Sequence, residues 1–191
     1  MLKGLLTLFI ALFLGGGSAV FIFSNPDLVN IGIITNGPWR TSLTYGSRDS
    51  NIYEKAVVAK TGLFALNKSE TLYFTAFHDD AGRPLNAGYN YRIEGRTMET
   101  RWWSVTVYGE DSFLIPNKQK RYAYTKNSVN CEADGSYIIR LSRNFREGNW
   151  LNTGKDRKRF SLTLRLYNPS PNLYENLRAI RLPRIIREEG P

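Results

Sequence analysis

From Leu5 to Phe23 the chain reads LLTLFIALFLGGGSAVFIF, an apolar run without a single charge. A helix of roughly 20 residues, rising about 1.5 Å each, spans the ~30 Å hydrocarbon core of a bilayer. It also closes its backbone hydrogen bonds internally, as lipid demands. Residues 1–25 therefore read as a single N-terminal transmembrane helix, with the lipid bilayer as the partner of residues 5–23. Two alternatives stay open: a cleaved signal peptide, with Gly17 and Ala19 as the small residues before the cut, and a helix buried in a soluble protein. Against cleavage, the run resumes as Val20, Phe21, Ile22 and Phe23, past the point where a signal's hydrophobic region normally ends. Lys3 and the amino terminus put the N-terminal side in the cytoplasm and the body of the chain outside. Gly15, Gly16 and Gly17 let helices approach closely, so the anchor offers a face for a homo-oligomer.

Behind the anchor, Asn25, Pro26 and Asp27 break the run, and residues 26–45 read as a juxtamembrane linker. Residues 46–191 then suffice for one domain that buries its own core. Ile52, Ala56, Ala59 and Leu63 recur at helical spacing with Glu54 and Lys55 on the polar side, which predicts one amphipathic helix over Ser50–Leu66. After Asn67 the text becomes β-like, rich in aromatic and threonine residues that suit a pleated surface. Strands are predicted over Thr71–Phe77, Tyr89–Glu94, Trp102–Tyr108, Arg121–Thr125, Tyr137–Ser142 and Phe160–Tyr167, with Leu177–Ile186 returning as an edge strand. Short strands at this spacing, separated by Gly, Asn, Asp or Pro, predict a mainly β fold: a jelly-roll-like β sandwich.

Several function classes drop out on composition and motif. Cys131 is the only cysteine, so neither an intramolecular disulfide nor a multi-cysteine metal site can form. Gly-rich phosphate loops, nucleotide fingerprints and zinc motifs are absent from the sequence, and no cofactor or metal is expected. The net charge of +9 is unevenly spread. Up to Met98 there are nine basic and seven acidic residues; beyond it there are seventeen and ten. The distal half is thus the basic one, and it favours anionic partners. Nucleic acid would account for charge and aromatics together, but an external location argues against it.

The segment Arg101–Tyr124, RWWSVTVYGEDSFLIPNKQKRYAY, has an aromatic-Trp-Ser strand ending in Tyr, then an apolar-Pro-Asn turn, then Arg-Tyr. Trp102, Trp103, Ser104, Thr106, Tyr108, Pro116, Asn117, Arg121 and Tyr122 occupy those positions. Further along come Asp134-Gly135-Ser136, then Asn149-Trp150-Leu151, then FSLTLRLYNP over Phe160–Pro169. From about Tyr53 to Pro183 these ordered blocks resemble the bacterial family known as domain of unknown function 1214. The resemblance implies a jelly-roll-like sandwich and no established reaction. It also implies a companion domain, often fused to this one, that the sequence here lacks. A local departure is Asn152-Thr153-Gly154-Lys155, where the family has a Pro-containing turn, followed by the basic run Lys155, Arg157, Lys158 and Arg159.

Candidate site residues follow from chemistry. His78 is the sole histidine and stands beside Asp79 and Asp80, the only place for a histidine-dependent nucleophile or a small metal site. Adjacent strand positions point to opposite faces, so a polar turn is the simpler account. For the same reason one of Trp102 and Trp103 faces away from the core and can stack on a ligand, with Asn117, Arg121 and Tyr122 as neighbouring recognition groups. Lys155, Arg157, Lys158 and Arg159 are the candidate contact for an anionic partner, or simply a solvated hairpin loop. The reading leans to a non-enzyme: a single-pass protein of the bacterial inner membrane with a periplasmic binding or assembly module that meets a protein or anionic envelope partner. The alternatives are a hydrolase acting on envelope glycan or lipid, and a tethered structural domain without ligand.

Overall fold

Alternation of apolar and polar residues along most strands gives each sheet one face that must leave water, and the two faces meet. The computed structural model describes residues 2–24, 33–42, 46–47, 50, 52, 55–56, 59, 66–155 and 158–188. Helix α1 (Leu2–Ser24) comes first, then strands β1 (Ile33–Asn36), β2 (Trp39–Ser42), β3 (Thr71–Ala76), β4 (Tyr91–Arg96) and β5 (Thr100–Gly109). Strands β6 (Ala123–Thr125), β7 (Ser136–Ser142), β8 (Trp150–Asn152) and β9 (Phe160–Pro169) follow, then a short helix α2 (Pro171–Glu175) and strand β10 (Arg184–Arg187). One sheet has six strands in the order β1-β2-β3-β9-β5-β6, the other four in the order β10-β4-β7-β8. All pairs are antiparallel except β7 with β8.

Leu72, Phe74 and Ala76 of β3, Leu162, Leu164 and Leu166 of β9, and Trp103, Val105 and Val107 of β5 line the inner face of the larger sheet. They meet Tyr91 and Ile93 of β4, Tyr137, Ile139 and Leu141 of β7, and Ile185 of β10. Each such side chain taken from water contributes about 1.5–3 kcal/mol, which makes this interlayer the main source of stability. Near its middle the ring of Tyr137 stacks on Trp103, with centroids 5.0 Å apart and planes at 23°. Tyr137 is paired in register with Gly95 of β4. A Cβ on Gly95 would collide with the Tyr137 ring and hydroxyl, so only glycine leaves room for it.

The stretch read as a juxtamembrane linker contains the β1–β2 hairpin. Asn36 pairs with Trp39, leaving Gly37 and Pro38 as a two-residue loop, and Gly37 takes the positive φ of +57° that primed hairpin turns need. The hairpin is clasped by the C-terminal segment. Asn36 Nδ2 donates to the carbonyls of Leu177 (2.9 Å) and Ile180 (2.8 Å), and Trp39 Nε1 donates to Pro183 O at 2.7 Å. Strand β8 is a second element absent from the sequence expectation, since three residues are too short to show a period. Of the predicted edge strand only Arg184–Arg187 forms, because Pro183 lacks the N–H to extend the ladder.

In the predicted helix Ser50–Leu66, Ile52, Lys55, Ala56 and Ala59 are helical; Glu54 and Leu63 lie outside the described residues. Ile52, assigned to the apolar stripe, is 72% exposed, so it adds nothing to the core. In α1 the window Lys3–Phe21 is long and apolar enough to cross a membrane, and none of it is buried against the sandwich.

Gly95→Ala is expected to lower the unfolding free energy by about 1–3 kcal/mol through overpacking against Tyr137, as read from urea unfolding in detergent followed by tryptophan fluorescence. A variant as stable as the parent would rule out the close approach.

Candidate functional site

The sandwich carries a groove of about 660 Å³ on the outer face of the four-stranded sheet. Its floor is made of residues that the strand period turns away from the core: Glu94 and Arg96 of β4, Ser136, Ile138 and Arg140 of β7, and Arg184 of β10. Asn130, Glu132, Gly148 and Asn149 line it near β8, and Arg181 and Leu182 line it ahead of β10. Ile138 is 43% exposed, an apolar spot among charges.

Ion pairs neutralise only part of this surface. Arg96 reaches Asp134 at 2.5 Å, Arg184 reaches Asp80 at 3.0 Å, and Glu94 accepts from Arg92 at 2.6 Å. The Asp134 carboxyl is held below its ordinary range, first by the Ser136 hydroxyl and N–H and then by Arg96. Arg140 donates a long 3.4 Å bond to the Glu147 carbonyl, and neither it nor Arg181 has a carboxylate partner among the described residues. Two guanidiniums are thereby left to meet an anion, for which their planar donor forks suit carboxylate or phosphate.

Tyr137 stands between the floor residues Ser136 and Ile138 with its ring turned to the core, onto Trp103. It is 2% exposed, and its hydroxyl has no hydrogen-bond partner, a costly state for a buried donor. Burial pushes this hydroxyl well above the ordinary tyrosine value, so it remains a neutral O–H donor. Together, two arginines without carboxylate partners and an apolar floor can bind an anionic group. They include no nucleophile with an adjoining base.

Residues 70–171 match the family described as Protein of unknown function (DUF1214). The chain belongs to this family. The crystal structure of the VPA0106 protein from Vibrio parahaemolyticus shares the fold, with a TM-score of 0.59 and 22% identity over 74% of this chain and 36% of that one. A putative uncharacterized protein from Burkholderia cenocepacia is similar at 19% identity and a TM-score of 0.44, over 64% of this chain and 31% of that one. The chain therefore spans about a third of the length of these two proteins. No curated protein matches.

Most blocks that mark the DUF1214 resemblance brace the fold. Asn117 closes its own turn, donating to Ile115 O and Arg121 O and accepting from Arg121 N–H. Asp134 Oδ1 accepts from the Ser136 N–H and hydroxyl. Asn149 joins the loop after β6 to β7, donating to Asn130 O at 2.8 Å and Ile138 O at 3.0 Å. Trp150 Nε1 donates to the Ser142 hydroxyl at 2.8 Å.

The residues singled out from sequence do not converge on one pocket. Trp103 is fully buried in the core, so it is not a surface contact. Trp102 lies half-buried on the outer face of the six-stranded sheet, edge-on to Tyr167 at 5.0 Å. On that face Arg165 sits over the rings of Tyr108 and Tyr73 and donates to the Tyr108 hydroxyl at 2.9 Å. Arg121 is exposed over the ring of Tyr124, and Tyr122 gives its carbonyl to Val107 N–H. His78 is exposed and bridges only to Pro84. Asp79 is spent on the N–H groups of Ala81 and Arg83 and the Arg83 guanidinium, and Asp80 on Arg184 and the N–H of Ile185. No hydrogen bond joins either carboxylate to His78 among the described residues. Of the basic run, Lys155, Lys158 and Arg159 are exposed and Arg157 lies outside the described residues. The groove residue Arg140 escaped sequence reading because a single polar position on an alternating strand looks like an ordinary solvent-facing one. Arg181 and Arg184 were visible only within the basic excess of the distal half.

Tyr137→Phe is expected to leave stability at neutral pH unchanged or raised by up to about 1 kcal/mol, since an unsatisfied hydroxyl is removed. Below the ordinary tyrosine value of 10 both folded and unfolded chains hold the proton. Above it the unfolded chain releases the proton and the folded one retains it, so stability falls as pH rises, and the variant should lose less. Urea midpoints on either side of about pH 10 test this; an identical decline in both proteins would refute it.

Proposed function

We propose that the protein is a membrane-tethered binding module. In this reading α1 crosses the bacterial inner membrane with its N-terminus in the cytoplasm, and the sandwich stands in the periplasm. Its arginine-lined groove takes an anionic group of an envelope partner, either a protein or an acidic envelope component. The observation that carries the reading is the pair Arg140 and Arg181, left without carboxylate partners among the described residues in a groove whose floor is apolar at Ile138. An anion there would compensate two guanidinium charges. The length of the apolar helix and the exposure of its window Lys3–Phe21 support the tether, since an uncovered surface of this kind is tolerated in lipid and costly in water. A tethered domain without ligand would leave the groove and its charges unexplained, and a hydrolase centred on His78 has both neighbouring carboxylates bound elsewhere.

A photo-crosslinking amino acid at Ile138, on the groove floor, is expected to give a discrete adduct in intact bacteria. Arg140→Glu with Arg181→Glu should reduce its yield at least tenfold while leaving the chain folded and in the membrane fraction. Adduct formation indifferent to these charges would sink the groove as the site. Reporter fusions at the C-terminus test the tether separately: activity only with a cytoplasmic reporter would reverse the orientation.

A further inference from the structure

One end of the sandwich gathers loops far apart in sequence. Strand β5 ends in a tight turn in which Gly109 N–H donates to Phe113 O and Leu114 bridges back to Tyr108, opposite the start of β9. The loop leading into β9 packs beside it: a Cβ at Gly154 would touch Ile115 at 3.6 Å. The loop after β7 joins them, with Arg143 Nη1 donating to Lys155 O and Asn152 Nδ2 donating to Arg143 O, both at 3.0 Å. The β3–β4 connection closes the group, with Ala87 N–H donating to Lys158 O at 2.9 Å.

This end is basic and carries exposed apolar side chains. Loops 110–122, 143–149 and 153–159 with the β3–β4 connection 77–90 contain ten basic and six acidic residues, whereas loops 97–99 and 126–135 at the opposite end contain one basic and three acidic. Phe113 is 74% exposed and Leu114 42%, and Arg143, Lys155, Lys158 and Arg159 are all exposed. Protruding aromatic and aliphatic groups inside a ring of cations match the surface of an anionic bilayer: the apolar tips enter the headgroup boundary and the cations meet lipid phosphates.

Covalent reach supports the same occupant. Nine peptide steps separate Ser24 from Ile33 and extend at most roughly 30 Å. By register, Ile33 stands about five residue rises from the start of β9, or ~17 Å along the strands. The tether is therefore long enough for this end to touch the bilayer that holds α1, and short enough to keep it in constant encounter with it.

We infer that the loop end bearing Phe113, Leu114, Arg143, Lys155, Lys158 and Arg159 docks the sandwich onto the anionic lipid surface of its own membrane. The groove, on a sheet face, stays accessible to a partner while the end is docked. This inference rests on the membrane tether of the proposed function and is independent of what the groove binds.

The test uses the full chain in nanodiscs, in a Cys131→Ser background with Phe113→Cys carrying an environment-sensitive fluorophore. Discs of phosphatidylcholine alone are compared with discs containing phosphatidylglycerol. In the anionic discs the label should shift to the blue and be quenched by a lipid-borne quencher, and added salt should reverse both changes. A label at Asn127→Cys, at the opposite end, should show neither. Charge reversal at Lys155, Lys158 and Arg159 should weaken docking about fivefold or more for each charge. Equal emission in both lipids, insensitivity to charge reversal, or a shift that follows the number of protein copies per disc overturns the inference. Failure of the chain to enter discs at all is a distinct result that overturns the tether as well.

Discussion

The structure depends on the burial of two facing sheet surfaces, and above all on the place where Tyr137 lies flat on Trp103. The stack joins β5 of one sheet to β7 of the other through two large aromatic surfaces. It forms only because Gly95, the cross-strand neighbour of Tyr137, presents no side chain. The same arrangement leaves the Tyr137 hydroxyl and the Trp103 Nε1 without partners among the described residues. Apolar burial outweighs that loss.

Around this core, polar side chains serve mainly as structural ties. Asn36 and Trp39 bind the N-terminal hairpin to the segment ahead of β10, Asn149 binds the loop after β6 to β7, and Asp80 binds the β3–β4 turn to β10. In each case a carbonyl or N–H that lies outside the regular ladders gains a side-chain partner, as groups removed from water require. Arg140, with a long 3.4 Å bond to the Glu147 carbonyl, and Arg181 stand out because neither has a carboxylate partner among the described residues. Their guanidiniums line a groove in which Glu94, Arg96 and Arg184 already have ion-pair partners. The charge excess at the loop end is a separate feature, created by bringing the turns after β5, β7 and β8 together.

Much of the fold was legible in the sequence where a pattern ran long enough. Strands β3, β5, β7 and β9 have six or more residues, and their alternation or apolar content marked them; only their limits shifted, as in β5, which begins at Thr100. The β1–β2 hairpin was missed because four-residue strands beside a Pro-Gly-containing stretch look like linker, although Asn36-Gly37 is itself a hairpin signal. Blocks of the DUF1214 resemblance were legible as sequence, while their physical meaning was not. Asn117 and Asp134 could have been recognition groups, yet their side chains fold back on neighbouring backbone. Likewise His78, Asp79 and Asp80 suggested a reactive cluster by adjacency, and the β3–β4 turn dispersed them.

By itself the sequence determined the local choices: an uncharged apolar run of membrane-spanning length, strands of period two, turns at Gly, Asn and Asp, and a basic distal half. These depend on neighbouring residues, through backbone sterics and the solubility of each segment. Only the tertiary structure decided which arginines would find carboxylates, which tryptophan would be buried, and which loops would share an end. Those outcomes depend on register between strands distant in the chain, where Arg184 meets Asp80 and Arg143 meets Lys155. Charge in a sequence is a sum; unpaired charge at a surface is a matter of three-dimensional distance.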